Sequence, residues 1–266
     1  METARPDAVP VILAWATRDK ARDLLRRAFT RRRSHLSIVS TAEAARRVLT
    51  TTLVDAVIVD LAGNSDEAWT VVALARELPS LPFFALAPLR VADASTLGRC
   101  AALDVTDMLF ESVDEAALRE LVMPHTFTER FVAALHGAER VLGLDAPLQR
   151  RSWDLVVSAG GRPVRTDAVA QSLGVTREHL SRSFASEGAP NLKRVIDLVR
   201  LIAAAELAKN PGYDVGDVAK VLGFASPSHL TSTAERVAGI RVASLTLLRA
   251  RDLIARFVQG RSRSRR

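Results

Sequence analysis

The chain has 266 residues, 48% hydrophobic and 25% charged, an ordinary balance for a folded protein of about two domains. No apolar run approaches the roughly 20 residues of a membrane span. The start METARPDAVPVIL lacks the layout of a signal peptide, and the single cysteine, Cys100, excludes an internal disulfide and fits a reducing, cytoplasmic setting. Residues 1–124 hold 15 basic against 17 acidic side chains, a net of −2, and residues 125–266 hold the other 22 against 13, a net of +9. That split directs a polyanion to the second half.

From the N-terminus, strand-like runs alternate with helical ones: VPVILAWA then RDKARDLLRRAFT, LSIV then TAEAARRVLTT, DAVIVDLA then SDEAWTVVALAREL. PFFALA then VADASTLGRCAAL, and DMLF then SVDEAALRELV, complete five β-α units. The expectation is an α/β domain over residues 1–124, a doubly wound parallel five-stranded sheet covered by helices on both faces. Its chemistry belongs at the carboxyl ends of the strands.

These five units, with Asp60 closing the third strand, resemble the receiver domain of bacterial response regulators. The resemblance implies an acidic pair after the first strand, a phospho-accepting Asp at Asp60, a hydroxyl after the fourth strand and a lysine after the fifth. Here those other positions fall on Ala16 and Thr17, on Ala87 and on Glu111. One carboxylate is a poor cradle for a hard divalent cation, and a glutamate in the lysine position repels a phosphoryl group. Asp60 therefore reads as a vestigial phosphoacceptor and the domain as a pseudo-receiver, without a cofactor. Such a domain can still form a homodimer, dock a partner protein or hold a small-molecule ligand. By the resemblance, self-association uses the face from about Val91 to Val122.

Residues 125–147 carry Phe127, Phe131, Val132, Leu135 and Val141 at helical spacing and read as a connecting helix. SAGGRP at 158–163 reads as a loop, and its glycines do not follow a strand in a dinucleotide fingerprint. VAQSLG at 169–174 then returns as VAKVLG at 218–223, and HLSRS at 179–183 as HLTST at 229–233. Each copy reads as a helix, a glycine turn and a second helix starting at Thr176 or near Ser226, with hydroxyl N-caps. Val169, Leu173, Val175, Leu180 and Phe184 form the inner face of the first copy, leaving Arg177, Glu178, Ser181 and Arg182 outside. The segment NLKRVIDLVRLIAAAELAKN between the copies would span about 30 Å as a helix, close to the ~34 Å turn of B-DNA.

This pattern, across about 148–250, resembles the AraC family of transcription regulators, whose DNA-binding module joins two helix-turn-helix motifs by a long helix. The resemblance rests on VAQSLGVTREHLSRSF, on VRLIAAAELA with Arg200, Ala204 and Leu207, and on VAKVLGFASPSHL. It implies double-stranded DNA as partner, with base-facing positions at Glu178, Ser181 and Arg182, then at Ser228, His229, Thr231 and Ser232. The second motif departs from the family, which usually has Arg at Ser232, Phe at Ala234 and Pro at Val242. Loss of that arginine removes the side chain best suited to a bidentate guanine contact. A DNA-binding domain is expected at 148–260, followed by a basic tail, RSRSRR, at 261–266 without order of its own. No metal spacing, nucleophile motif or phosphate loop points to an enzyme. A phosphorylation-switched response regulator using Asp60 and a non-DNA-binding interaction adaptor are the alternatives.

Overall fold

A computed structural model describes residues 9–63, 65–88, 94–185 and 189–263, without the side chains of 261–263. Val91 of the expected dimer face and the last three residues of the basic tail lie outside the described residues. The described chain divides into two compact units, one of Val9–Arg130 with Asn210–Tyr213, the other of Phe131–Lys209 and the residues from Asp214 onward.

In the first unit the elements run β1 (Val11–Trp15), α1 (Asp19–Ala28), β2 (His35–Val39), α2 (Ala42–Leu49), β3 (Ala56–Asp60), α3 (Asp66–Glu77), β4 (Phe83–Ala87), α4 (Ala94–Ala102), β5 (Asp107–Phe110) and α5 (Glu115–Val122). All strand pairs are parallel, in the order β2-β1-β3-β4-β5. The central strands AVIVD and FFALA are buried at every residue, as a sheet covered on both faces requires. On one face Ile12, Ala14, Ile58 and Leu86 pack with Leu25 of α1 and Leu118 of α5. Side chains of Thr41, Ser65 and Asp114 cap the starts of α2, α3 and α5. The winding reverses between β1 and β3, and the carboxyl ends there carry the residues that follow β1 and the last residue of β3, Asp60.

Residues 125–147 differ from the expected connecting helix. After a 3-10 turn at Met123–His125 they form α6 (Phe127–Ala134) and a short α7 (Ala138–Val141), broken where Gly137 takes φ +83°. The buried Asp55 carboxylate holds the start of α6, accepting from the Thr128 amide at 3.0 Å and hydroxyl at 2.5 Å. Its other oxygen accepts from the Val11 amide at 2.8 Å.

The second unit continues with α8 (Pro147–Ser158), α9 (Thr166–Ser172), α10 (Arg177–Ala185), α11 (Leu192–Leu207), α12 (Val215–Val221), α13 (Pro227–Ala238), a 3-10 stretch at Val242–Leu247 and α14 (Ala250–Arg263). Helix α11 is its axis, apolar on nearly all sides, which suits a helix surrounded by others. It packs against α8, α12, α13 and α14, while α9 and α10 pack against α8. It has 16 residues, about 24 Å, shorter than the 20-residue segment expected, so α11 alone does not span a turn of duplex. Asn191 caps its start and Ala208 already ends it. The basic tail is also corrected, because α14 extends through Arg263. Among the described residues no helix is long and apolar enough to cross a membrane.

Candidate nucleic-acid interface

The two glycine turns agree bond for bond. In the first, the Val175 amide donates to Ala170 O at 3.0 Å, Leu173 to Val169 O at 3.1 Å, and Gly174 to Gln171 O at 3.1 Å. In the second, Phe224 donates to Ala219 O at 2.8 Å, Leu222 to Val218 O at 3.2 Å, and Gly223 to Lys220 O at 3.0 Å. Gly174 and Gly223 take φ +67° and +61°, the left-handed turn that a side chain resists. The following helices are capped alike: the His179 amide donates to Thr176 Oγ1 and the His229 amide to Ser226 Oγ, each at 3.1 Å. The second turn holds one more residue, Ala225, which is why the repeat offset steps from 49 to 50.

Of the inner-face positions, Val169, Leu180 and Phe184 are buried and Leu173 and Val175 half-buried. Arg177, Glu178, Ser181 and Arg182 are all exposed on α10. Arg177 pairs with Asp167 of α9 at 3.4 Å, and Arg182 Nε donates to Glu178 O at 3.4 Å. On α13, Ser228, His229 and Ser232 are exposed and Thr231 is half-buried. The Thr231 and Ser232 hydroxyls donate back to Pro227 O and His229 O, each at 3.1 Å, which leaves their lone pairs as acceptors.

The second helix of each hinge is held differently. The buried Gln149 of α8 donates its amide to Ser183 O near the end of α10 at 2.8 Å. Around α13 the ties come from α11. Arg200 Nη2 donates to Leu222 O at 3.0 Å and Gly223 O at 3.1 Å, satisfying carbonyls at the end of α12. Its guanidinium lies 4.0 Å from the Phe224 ring centroid. Phe224 meets the His229 ring edge to face, centroids 5.6 Å apart. Burial lowers the Arg200 pKa from its ordinary value, opposed by nearby Asp197. Asp197 pairs with Arg236 of α13 at 3.0 Å, without hydrogen-bond alignment. Sequence reading placed Arg200 in the linking helix but missed these contacts; only the buried-position spacing of Asp197 and Arg200 hints at them.

At the carboxyl ends of the sheet, Asp60 is not alone. Arg18, the residue before α1, donates from Nε to Asp60 Oδ2 at 2.9 Å and from Nη2 to Oδ1 at 2.6 Å. The same Nη2 donates to Glu111 Oε1, and Lys20 Nζ lies 2.9 Å from Glu111 Oε2. The side chains of Asp60 and Glu111 are 1% and 4% exposed, so these two cations neutralise two buried carboxylates. Asp60 hydrogen bonds foremost, and Glu111 with them, raise the Arg18 pKa against the cost of burial. Burial pushes the Glu111 carboxyl up, but hydrogen bonds from Arg18 and Lys20 outweigh it and leave it below its ordinary value. Ala16 and Ala87 are buried beside the cluster's strands. Among the described residues no group of three or more His, Cys, Asp or Glu could hold a metal ion.

The family described as Helix-turn-helix domain matches residues 169–256, from the start of the first glycine hinge to within α14. Those residues are therefore similar to an AraC-type helix-turn-helix domain. A helix-turn-helix domain points to DNA as partner and to transcription regulation. The other unit is a sheet of five parallel strands alternating with helices. A search of the curated proteins finds no match. Among solved structures, full-length FixJ from B. japonicum matches at 12% identity, covering 85% of this chain and 96% of that chain, with a TM-score of 0.39.

Proposed function

We propose that the chain is a sequence-specific transcription regulator that reads double-stranded DNA through both hinges, and whose receiver-like unit works without phosphorylation. The observation that carries the reading is the repeated turn, matched bond for bond, with polar side chains exposed on both following helices. Arg177, Glu178, Ser181 and Arg182 form the first reading surface; Ser228, His229, Thr231 and Ser232 form the second. The net +9 of residues 125–266 supplies the phosphate attraction that fixes register.

The division of labour follows the charge split, with homodimerisation in residues 1–124 and DNA contact in 148–260. Leu97 of α4 and Leu121 of α5 are large apolar side chains exposed in the segment proposed for self-association. For Asp60, the support is its pairing with Arg18: a phosphoryl group and its metal would have to displace a guanidinium held by two carboxylates.

Selection of duplexes from a random pool by the full chain, with a salt titration, tests this reading. Enrichment of one motif and an affinity falling steeply with salt are expected. No enrichment favours the adaptor alternative. A stoichiometric adduct on Asp60 after incubation with acetyl phosphate and magnesium favours the response-regulator alternative.

A further inference from the structure

The two reading helices differ in how they are aimed. In the first hinge Val175 occupies the place that Phe224 occupies in the second, and an aliphatic side chain offers no ring to stack on. In the second, the ring of Phe224 contacts both the Arg200 guanidinium and, in a T-shaped arrangement, the His229 ring. The guanidinium is fixed in turn by the carbonyls of Leu222 and Gly223. Three residues earlier on α11, Asp197 holds Arg236, which lies two turns further along α13. Residues three apart on a helix share a face, so one face of α11 grips α13 both at its first turn and near its end.

We propose that Arg200 and Asp197 are positioning residues that set the attitude at which α13 presents Ser228, His229 and Ser232 to DNA. Neither belongs to the exposed reading surface; each acts through a neighbour, Arg200 through Phe224 and Asp197 through Arg236. The inference rests on the proposed DNA reading. It gives the second hinge a way to specify bases despite lacking an arginine at position 232, because a pinned imidazole loses little freedom on contact with a base edge. Arginine suits the task because its Nη2 donates to two carbonyls while the planar guanidinium lies against a ring; a lysine ammonium has no such planar face.

The test uses the full chain with Arg200→Met, Arg200→Lys and Asp197→Asn on the duplex that the wild type selects. Footprinting should show the segment under the second hinge needing about tenfold more protein or more in Arg200→Met, the scale of one lost base contact. The segment under the first hinge should shift far less, Asp197→Asn should act in the same direction, and Arg200→Lys should recover only part of the loss. Without DNA, the His229 ring protons, assigned with His229→Ala, should carry a ring-current shift from Phe224 that Arg200→Met reduces. Equal weakening of both segments, or no weakening, overturns the proposal, as does a His229 signal that Arg200→Met leaves unmoved. A wild type that selects no duplex overturns the DNA reading and this role with it. A wild type that selects one while Arg200→Met behaves normally overturns the positioning role alone.

Discussion

Arg18 grips Asp60 with two parallel hydrogen bonds, Nε to Oδ2 at 2.9 Å and Nη2 to Oδ1 at 2.6 Å. The guanidinium at the end of the β1–α1 junction thus neutralises the carboxylate that closes β3. Arg18→Ala removes the cation paired with buried Asp60 and leaves Lys20 paired with Glu111. The expected loss is about 2–4 kcal/mol, below the upper range for a broken buried pair because Arg18 is itself partly exposed. Arg18→Lys should recover only part of it, since an ammonium cannot match the fork. Urea unfolding of the three proteins checks this; equal midpoints would show the pair to be inert.

The same cluster predicts a pH dependence. Glu111 sits below its ordinary value in the folded chain, so the stability it contributes is present above the unfolded carboxyl pKa of about 4.3. That contribution is lost as pH falls through the folded value. Glu111→Gln removes it, so the difference in unfolding midpoint between wild type and variant should shrink from pH 6 toward pH 3. A constant difference across that range would contradict the assignment.

Arg182 is the longest exposed cation on the first reading helix whose register the resemblance places toward bases. Arg182→Ala should weaken binding to the best duplex by about 1–3 kcal/mol and flatten preference at one base pair. Competition with a panel of single-position variants of that duplex measures it. Uniform weakening across the panel would make Arg182 a phosphate contact.

The two hinge glycines separate backbone strain from crowding. A Cβ at Gly174 meets nothing within 4 Å, whereas one at Gly223 falls 2.7 Å from Pro163 Cγ. Gly174→Ala should cost about 1–2 kcal/mol, the left-handed penalty alone. Gly223→Ala should cost clearly more, because the Pro163 ring must shift as well. Thermal unfolding of both variants compares them directly.

All ten elements of the first unit were legible in the sequence, because each alternation of apolar run and amphipathic helix is a local signal. The hinges were legible for the same reason and because they repeat. The connecting helix was over-extended: apolar residues keep helical spacing through Val141, but Gly137 in a left-handed turn interrupts the backbone between them. The linking helix was read four residues too long because Asn191 and Lys209 look helical by composition yet lie outside its capped ends. Arg18, Lys20 and Glu111 could not be joined from sequence. Arg18 stands 42 residues from Asp60 and 93 from Glu111, and only the strand order brings those ends together. The contacts of Arg200, Phe224 and His229 are hidden likewise, since they join the middle of α11, the turn after α12 and the first turn of α13.

On the proposed DNA reading, the central helix has a further effect. The second hinge sits directly on α11 and the first reaches it through α8, so neither can slide along that rod on its own. A duplex engaged by both is therefore read at one fixed phase. Inserting a single base pair between the two subsites rotates one of them by about 34° and moves it about 3.4 Å. Inserting one residue into α11 instead turns its far end by about 100° and advances it 1.5 Å. The spacing tolerated in a target sequence is thus a property of one sixteen-residue helix, mostly buried, and variation among its sites should fall on bases rather than on gaps.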